Sequence, residues 1–154
     1  MVESLIGLPA PDFELCDQFG QTHRLSHLRG SQAVLLVFFP FAFTPTCTRE
    51  LHDIEAGSHE FVNHRVVTLA VSCDPIASLK AFAEREGIDH PLLSDFWPHG
   101  AVARQYGVFV EARGFANRGT FLVDRDGIVR WSVLTSPSQA RSADDYRAAL
   151  ARLV

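Results

Sequence analysis

The chain has 154 residues, 47% hydrophobic and 21% charged, which fits one compact domain spanning residues 1–154. A net charge of -4 without a long basic run argues against nucleic acid as the main partner, because phosphate binding needs clustered Lys and Arg. The longest apolar stretch, Ala33 to Phe43, is broken by Pro40 and falls short of the roughly 20 residues that span a bilayer. The opening MVESLIGLPAPDFEL lacks a signal peptide's charged start and apolar core, so a cytoplasmic location without a membrane partner is expected.

In chain order, Phe13 to Leu25 reads as a β-hairpin turning at Asp17-Gln18-Phe19-Gly20. Ala33 to Phe39 is a continuous apolar run that fits a strand buried on both faces. From Pro45 to about Val62 the pattern is helical, with Leu51, Ile54, Ser58, Phe61 and Val62 on one face. Val66 to Ser72 is a second strand. Asp74-Pro75 opens a helix carrying Ile76, Leu79, Phe82 and Ala83, with Gly87 as its stop. His99 to Tyr106 is a shorter helix closed by Gly107. Thr120 to Asp124 and Ile128 to Leu134 are strands joined by the turn Arg125-Asp126-Gly127. Ser142 to Asp145 caps a last helix with Tyr146, Ala149, Leu150 and Leu153 inward. A hairpin, a βαβ unit, an inserted helix, a β-hairpin and a terminal helix describe an α/β thioredoxin-like fold with a central mixed sheet. Functional sites in such sheets form beyond the carboxyl ends of the strands, where Pro40 to Cys47 lies.

The three cysteines are Cys16, Cys47 and Cys73, too few and too odd for a secreted disulfide framework, and no C-x-x-C is present. Thr44 is a good N-cap and Pro45 is favoured at the first helical position, which puts Cys47 at the third. A capping box carries Glu or Gln there. A sulfur at that place faces unsatisfied N–H groups and the positive end of the helix dipole, and both favour thiolate over thiol. Such a thiolate is expected to be partly sheltered, at the floor of a pocket.

Pro40, Thr44 and Cys47 form a P-x-x-x-T-x-x-C pattern after an apolar strand, followed by Glu50 and by Arg118 at the start of a later strand. In these residues, and in the Pro9-Ala10-Pro11-Asp12-Phe13 opening, the sequence resembles the peroxiredoxins. The segments LLVFFPFAFT and PLLSDFWPHGAV resemble most their one-cysteine AhpE-type (alkyl hydroperoxide reductase E) group.

The resemblance implies an antioxidant enzyme that reduces hydrogen peroxide and organic hydroperoxides without a cofactor. Cys47 attacks the peroxide and becomes a sulfenic acid. Thr44 aligns the O–O bond, and Arg118 stabilises the thiolate and the leaving oxygen. Pro40 shields the sulfenic acid, and Glu50 orients an arginine. Plainer readings stand beside these: a helix cap for Thr44, a strand terminator for Pro40, a surface residue for Arg118 and a first-turn acid for Glu50.

The tail from Thr135 to Val154, position 52 and the segment Asp89 to Phe96 all lack a resolving cysteine. Cys73 remains as the candidate resolving thiol within the chain. The preferred reading is a one-cysteine enzyme rescued by a low-molecular-weight thiol or a redoxin-type reductant. The resemblance also implies a homodimer or a higher oligomer, and Phe96-Trp97-Pro98 fits either core or a dimer contact. A thiol–disulfide oxidoreductase is disfavoured, because Thr44 stands where C-x-x-C has its first cysteine. A redox sensor or chaperone remains as an added role. His52 and His59 share a helix face without metal-ligand spacing, so no metal is expected. The 13 arginines, dispersed among acids, read as solvated surface.

Overall fold

The computed structural model describes residues 4–61, 63–136 and 139–153; the side chain of Ser58 is not described. Strands β1 (Glu14–Cys16) and β2 (Thr22–Arg24) form the N-terminal hairpin, and Gly20 N–H closes its turn on the Asp17 carbonyl at 3.0 Å. A 3-10 turn, Leu25–Leu28, leads into β3 (Ala33–Phe38), which is buried along its whole length. Helix α1 (Pro45–Ala56), helix α2 (Ser58–Phe61) and β4 (Val66–Ser72) follow.

Next come α3 (Ile76–Glu86), β5 (Leu92–Ser94) and α4 (Ala101–Gln105). The chain continues through β6 (Phe109–Val110), β7 (Phe115–Ala116), β8 (Arg118–Val123), β9 (Val129–Thr135) and α5 (Ala143–Ala151). Seven strands form one sheet in the order β2-β1-β5-β4-β3-β8-β9, while β6 and β7 pair apart from it. β4 runs parallel to β3 and to β5; β8 runs antiparallel to β3 and to β9. This is the expected thioredoxin-like α/β arrangement with a mixed sheet. No helix among the described residues is long and apolar enough to cross a membrane.

Alternation along the central strands divides the core into two layers. Ala33, Leu35, Val37 and Phe39 face α1, α3 and α5 through Leu51, Ile54, Leu79, Phe82, Tyr146 and Ala149. Val34, Leu36 and Phe38 face Ala10, Phe13, Val102, Tyr106 and Phe121 on the other side. Each buried Val, Leu, Ile or Phe among them contributes roughly 1.5–3 kcal/mol of transfer free energy.

Four features differ from the expectations of sequence. The helix expected from Pro45 to Val62 breaks at Gly57, where a Cβ would meet Arg147 Nη2 at 3.0 Å and Phe61 at 3.1 Å. Leu51, Ile54 and Phe61 are buried as expected, while Val62 lies outside the described residues. Strand β5 and the β6–β7 pair are too short to show a period of two. Ile76, expected inward, is exposed. Trp97 is 81% exposed and Phe96 nearly half exposed, which removes the core alternative for that segment.

Candidate active site

The parallel pairing of β3 and β4 brings their carboxyl ends side by side. Phe39 N–H donates to the Val71 carbonyl at 2.9 Å, and the chain leaves the sheet at the buried Pro40. Asp74 then ties the departing loop to the end of β4. Its Oδ2 accepts from Ala42 N–H at 2.9 Å and from Ser72 Oγ at 2.7 Å. Phe43 turns the chain into α1 with a φ of 69°, a left-handed conformation that a bulky residue adopts only when its surroundings enforce it. The Phe43 ring is held edge-on to Phe82, with centroids 5.2 Å apart, and lies 4.8 Å beneath the Arg85 guanidinium.

Thr44 is the N-cap residue, Pro45 stands at the first helical position and Cys47 at the third, as expected. The Thr44 hydroxyl, however, does not cap the helix. It donates to the Phe41 carbonyl at 3.0 Å, which leaves its lone pairs free to accept. Cys47 is also more enclosed than expected. It is 0% exposed and packs with Leu51, Ile54 and Val37, so the half-sheltered sulfur at a pocket floor gives way to a fully buried one.

Arg118 Nη2 donates to Cys47 Sγ at 3.1 Å. Arg118 begins β8 and is only 2% exposed, so it is no surface residue. Its Nη1 donates to Glu50 Oε1. Glu50 lies one turn beyond Cys47 on α1, so thiol and carboxylate meet the same guanidinium.

A residue that sequence reasoning missed completes this cluster. Arg141, in the loop before α5, donates to Glu50 Oε2 from Nε at 2.9 Å and from its backbone N–H at 2.6 Å, and to Glu50 Oε1 from Nη2 at 3.0 Å. Its Nη1 donates to the Gly119 carbonyl and to Thr120 Oγ1, each at 3.0 Å. The reading of the arginines as solvated surface therefore fails at Arg118 and Arg141.

Burial alone would push the Glu50 carboxyl up. The hydrogen bonds and charge of Arg141, with the charge of Arg118, outweigh it and hold that carboxyl below its ordinary value. Burial likewise opposes the Arg141 cation. Tyr146, Glu50 and Cys47 more than restore it, so its proton is held more tightly than usual. Two buried arginines thus surround one carboxylate and one sulfur, with room in the charge balance for a thiolate. Preorganised charge in a water-excluded place acts strongly on any charge that develops there.

Cys73 lies elsewhere. It follows the end of β4, and the charges around it are Asp95, Asp74 and Arg104 rather than those of Arg118, Glu50 and Arg141. Burial first, then those two carboxylates, push its thiol up to about 12. All three cysteines are free. Among the described residues no three His, Cys, Asp or Glu gather as a metal-binding group.

Comparison with known proteins agrees with this chemistry. A model of the AhpC/TSA family matches residues 6–132. Alkyl hydroperoxide reductase E of Mycobacterium tuberculosis (strain ATCC 25618 / H37Rv) is 48% identical over 148 residues, covering 96% of this chain and 97% of that protein. The chloroplastic 2-Cys peroxiredoxin BAS1 of Spinacia oleracea is 30% identical over 151 residues, covering 92% of this chain and 56% of that protein. The crystal structure of peroxidoxin BcpB from Mycobacterium tuberculosis overlays with a TM-score of 0.86 at 35% identity, covering 99% of both chains. Fold and relatives together define a thiol-dependent peroxidase, an oxidoreductase acting on peroxide. The chain belongs to the AhpC/TSA family and is a peroxiredoxin.

Proposed function

We propose that Cys47 reduces hydrogen peroxide and organic hydroperoxides by a one-cysteine cycle, with electrons returned by a low-molecular-weight thiol or a redoxin-type protein. The contact that carries this reading is the 3.1 Å hydrogen bond from Arg118 to Cys47 Sγ, made inside a buried arginine–carboxylate cluster. The Cys47 thiolate attacks the terminal peroxide oxygen, the O–O bond breaks, and the leaving oxygen takes a proton to become water or an alcohol. The sulfur is left as a sulfenic acid. Two equivalents of external thiol then return Cys47 to its reduced form, yielding a disulfide and water.

Thr44 stands at the half-buried edge of the site. Its own proton is committed to Phe41, so its oxygen accepts the O–H of the incoming peroxide and aligns the O–O bond. Arg118 stabilises the thiolate and the charge moving onto the leaving oxygen. Pro40 limits water at the sulfenic acid. Glu50 fixes the Arg118 guanidinium. The organic substrates accord with the name of the alkyl hydroperoxide reductase E that this chain resembles.

The one-cysteine reading is favoured by the surroundings of Cys73, whose neighbouring charges are Asp95, Asp74 and Arg104 and whose thiol is pushed up to about 12. The sparse, free cysteines suit a reducing compartment such as the cytoplasm, where the enzyme serves antioxidant defence. Exposed Phe41, Phe96 and Trp97 fit contact with a second copy of the chain, as a homodimer that larger assemblies extend. A variant carrying Cys16→Ser and Cys73→Ser tests the cycle: it keeps wild-type turnover with added thiol, and loss of turnover would show that an internal partner is required.

A further inference from the structure

We propose that Tyr146 and Thr120 are positioning residues for Cys47, acting through Arg141 and Glu50 on Arg118. This rests on the reading of Cys47 as the attacking thiolate. The line of contacts is continuous and buried. Tyr146 Oη lies 2.9 Å from Thr120 Oγ1, which accepts from Arg141 Nη1 at 3.0 Å. Arg141 grips both oxygens of Glu50, Glu50 holds Arg118 Nη1, and Arg118 Nη2 reaches the sulfur. Three regions distant in sequence meet here: α1 supplies Cys47 and Glu50, β8 supplies Arg118 and Thr120 on one face, and α5 with the loop just before it supplies Tyr146 and Arg141.

Thr120 is the pivot. Its hydroxyl has one proton and two lone pairs, and is wholly buried. One lone pair must face Arg141 Nη1. Tyr146 Oη fixes the rotor, so that the Thr120 proton does not turn against the guanidinium. Without the Tyr146 hydroxyl, Thr120 has no other side-chain partner than Arg141 among the described residues, and Arg141 loses a defined stop on β8. Its grip on Glu50 then slackens, and with it the aim of Arg118. Tyr146 also packs edge-on against Phe61 and Trp131, with centroids 6.3 and 6.2 Å away, so its ring holds α5 to the core independently of its hydroxyl. The charged or titratable groups along the line are Cys47, Glu50, Arg118, Arg141 and Tyr146.

The test compares Tyr146→Phe, Thr120→Val, their double variant, Thr120→Ser and Trp131→Phe. Two readouts are taken across pH: the second-order rate constant with hydrogen peroxide, and the rate of Cys47 alkylation by iodoacetamide. Tyr146→Phe is expected to slow peroxide reduction about 3- to 10-fold, the kinetic equivalent of one neutral hydrogen bond, and to move the acid limb of both profiles to higher pH. Thr120→Val reproduces the change, the double variant adds nothing further, and Thr120→Ser restores the wild-type profile. Trp131→Phe lowers thermal stability without moving either profile.

Unchanged profiles in Tyr146→Phe overturn the proposal. So do additive effects in the double variant, or a Trp131→Phe shift as large as that of Tyr146→Phe. Should the wild-type protein fail to consume peroxide, the functional reading falls, while the alkylation profiles still decide whether the hydroxyl line sets the state of Cys47.

Discussion

Replacing Glu50 by Gln keeps the shape of the side chain and removes its charge. In the structure Glu50 is 4% exposed at its side chain and accepts one hydrogen bond from Arg118 and three from Arg141. With the amide oxygen placed at Oε1, Arg118 Nη1 and Arg141 Nη2 keep an acceptor. The amide NH2 then faces the Arg141 backbone N–H and Nε, which approach Oε2 at 2.6 and 2.9 Å, so donors meet donors. Turning the amide over only exchanges which donors are stranded. Breaking a buried ion pair in this way typically destabilises by about 3–5 kcal/mol, because two buried cations are left with only the Cys47 sulfur to balance them. For a domain of this size that lowers the thermal midpoint by roughly 6–20 °C. Calorimetry or circular dichroism at neutral pH reads the shift directly. A fall of less than about 2 °C would refute the reasoning, since it would mean that the carboxylate carries little of the cluster's charge balance.

Further outcomes follow from the same geometry. Arg118→Ala is expected to slow peroxide reduction by about 100-fold or more while far-ultraviolet circular dichroism stays native; an unchanged rate constant in stopped flow would remove its electrostatic role. Cys73, with its thiol pushed up to about 12, should react with iodoacetamide far more slowly at neutral pH than the half-buried Cys16; peptide mapping that finds the two equal would contradict its enclosure. His90 is buried, and that burial depresses its pKa from 6.5 despite the nearby Glu55 carboxylate. The fold therefore favours the neutral ring, and the unfolded chain binds the proton more readily. Stability is then full above about pH 6.5 and falls by up to ~1.4 kcal/mol per pH unit as the solution is acidified toward the folded-state value. Chemical denaturation of His90→Leu should lose that acid-side slope, and a slope identical to wild type would assign it to other groups.

The site was legible in the sequence where its grammar is local. Thr44, Pro45 and Cys47 stand at the start of one helix, and their spacing alone places the sulfur at the third helical position. The central strands were legible for the same reason, since long apolar runs declare burial on both faces. What stayed hidden is set by distant partners. Arg118 gained its role from resemblance, because nothing in the Asn117-Arg118-Gly119 segment says that the side chain turns inward. Arg141 gave no signal at all. It lies outside the residues 6–132 that the family model matches, in a polar loop before a capped helix, and pairs with a carboxylate 91 positions away.

The break at Gly57 was masked by apolar periodicity that continues across it into Phe61. Phe43 gave no warning of its left-handed backbone, because that conformation is imposed by Phe82 and Arg85 rather than preferred by the residue. The full burial of Cys47 likewise depends on the α1, α3 and α5 layer closing over it.

Intact-protein and peptide mass spectrometry after one equivalent of hydrogen peroxide, with no thiol present, tests the account most directly. The account predicts one added oxygen, located on Cys47, with Cys16 and Cys73 still free. A Cys47–Cys73 disulfide, or oxidation falling on another residue while Cys47 stays reduced, would contradict it.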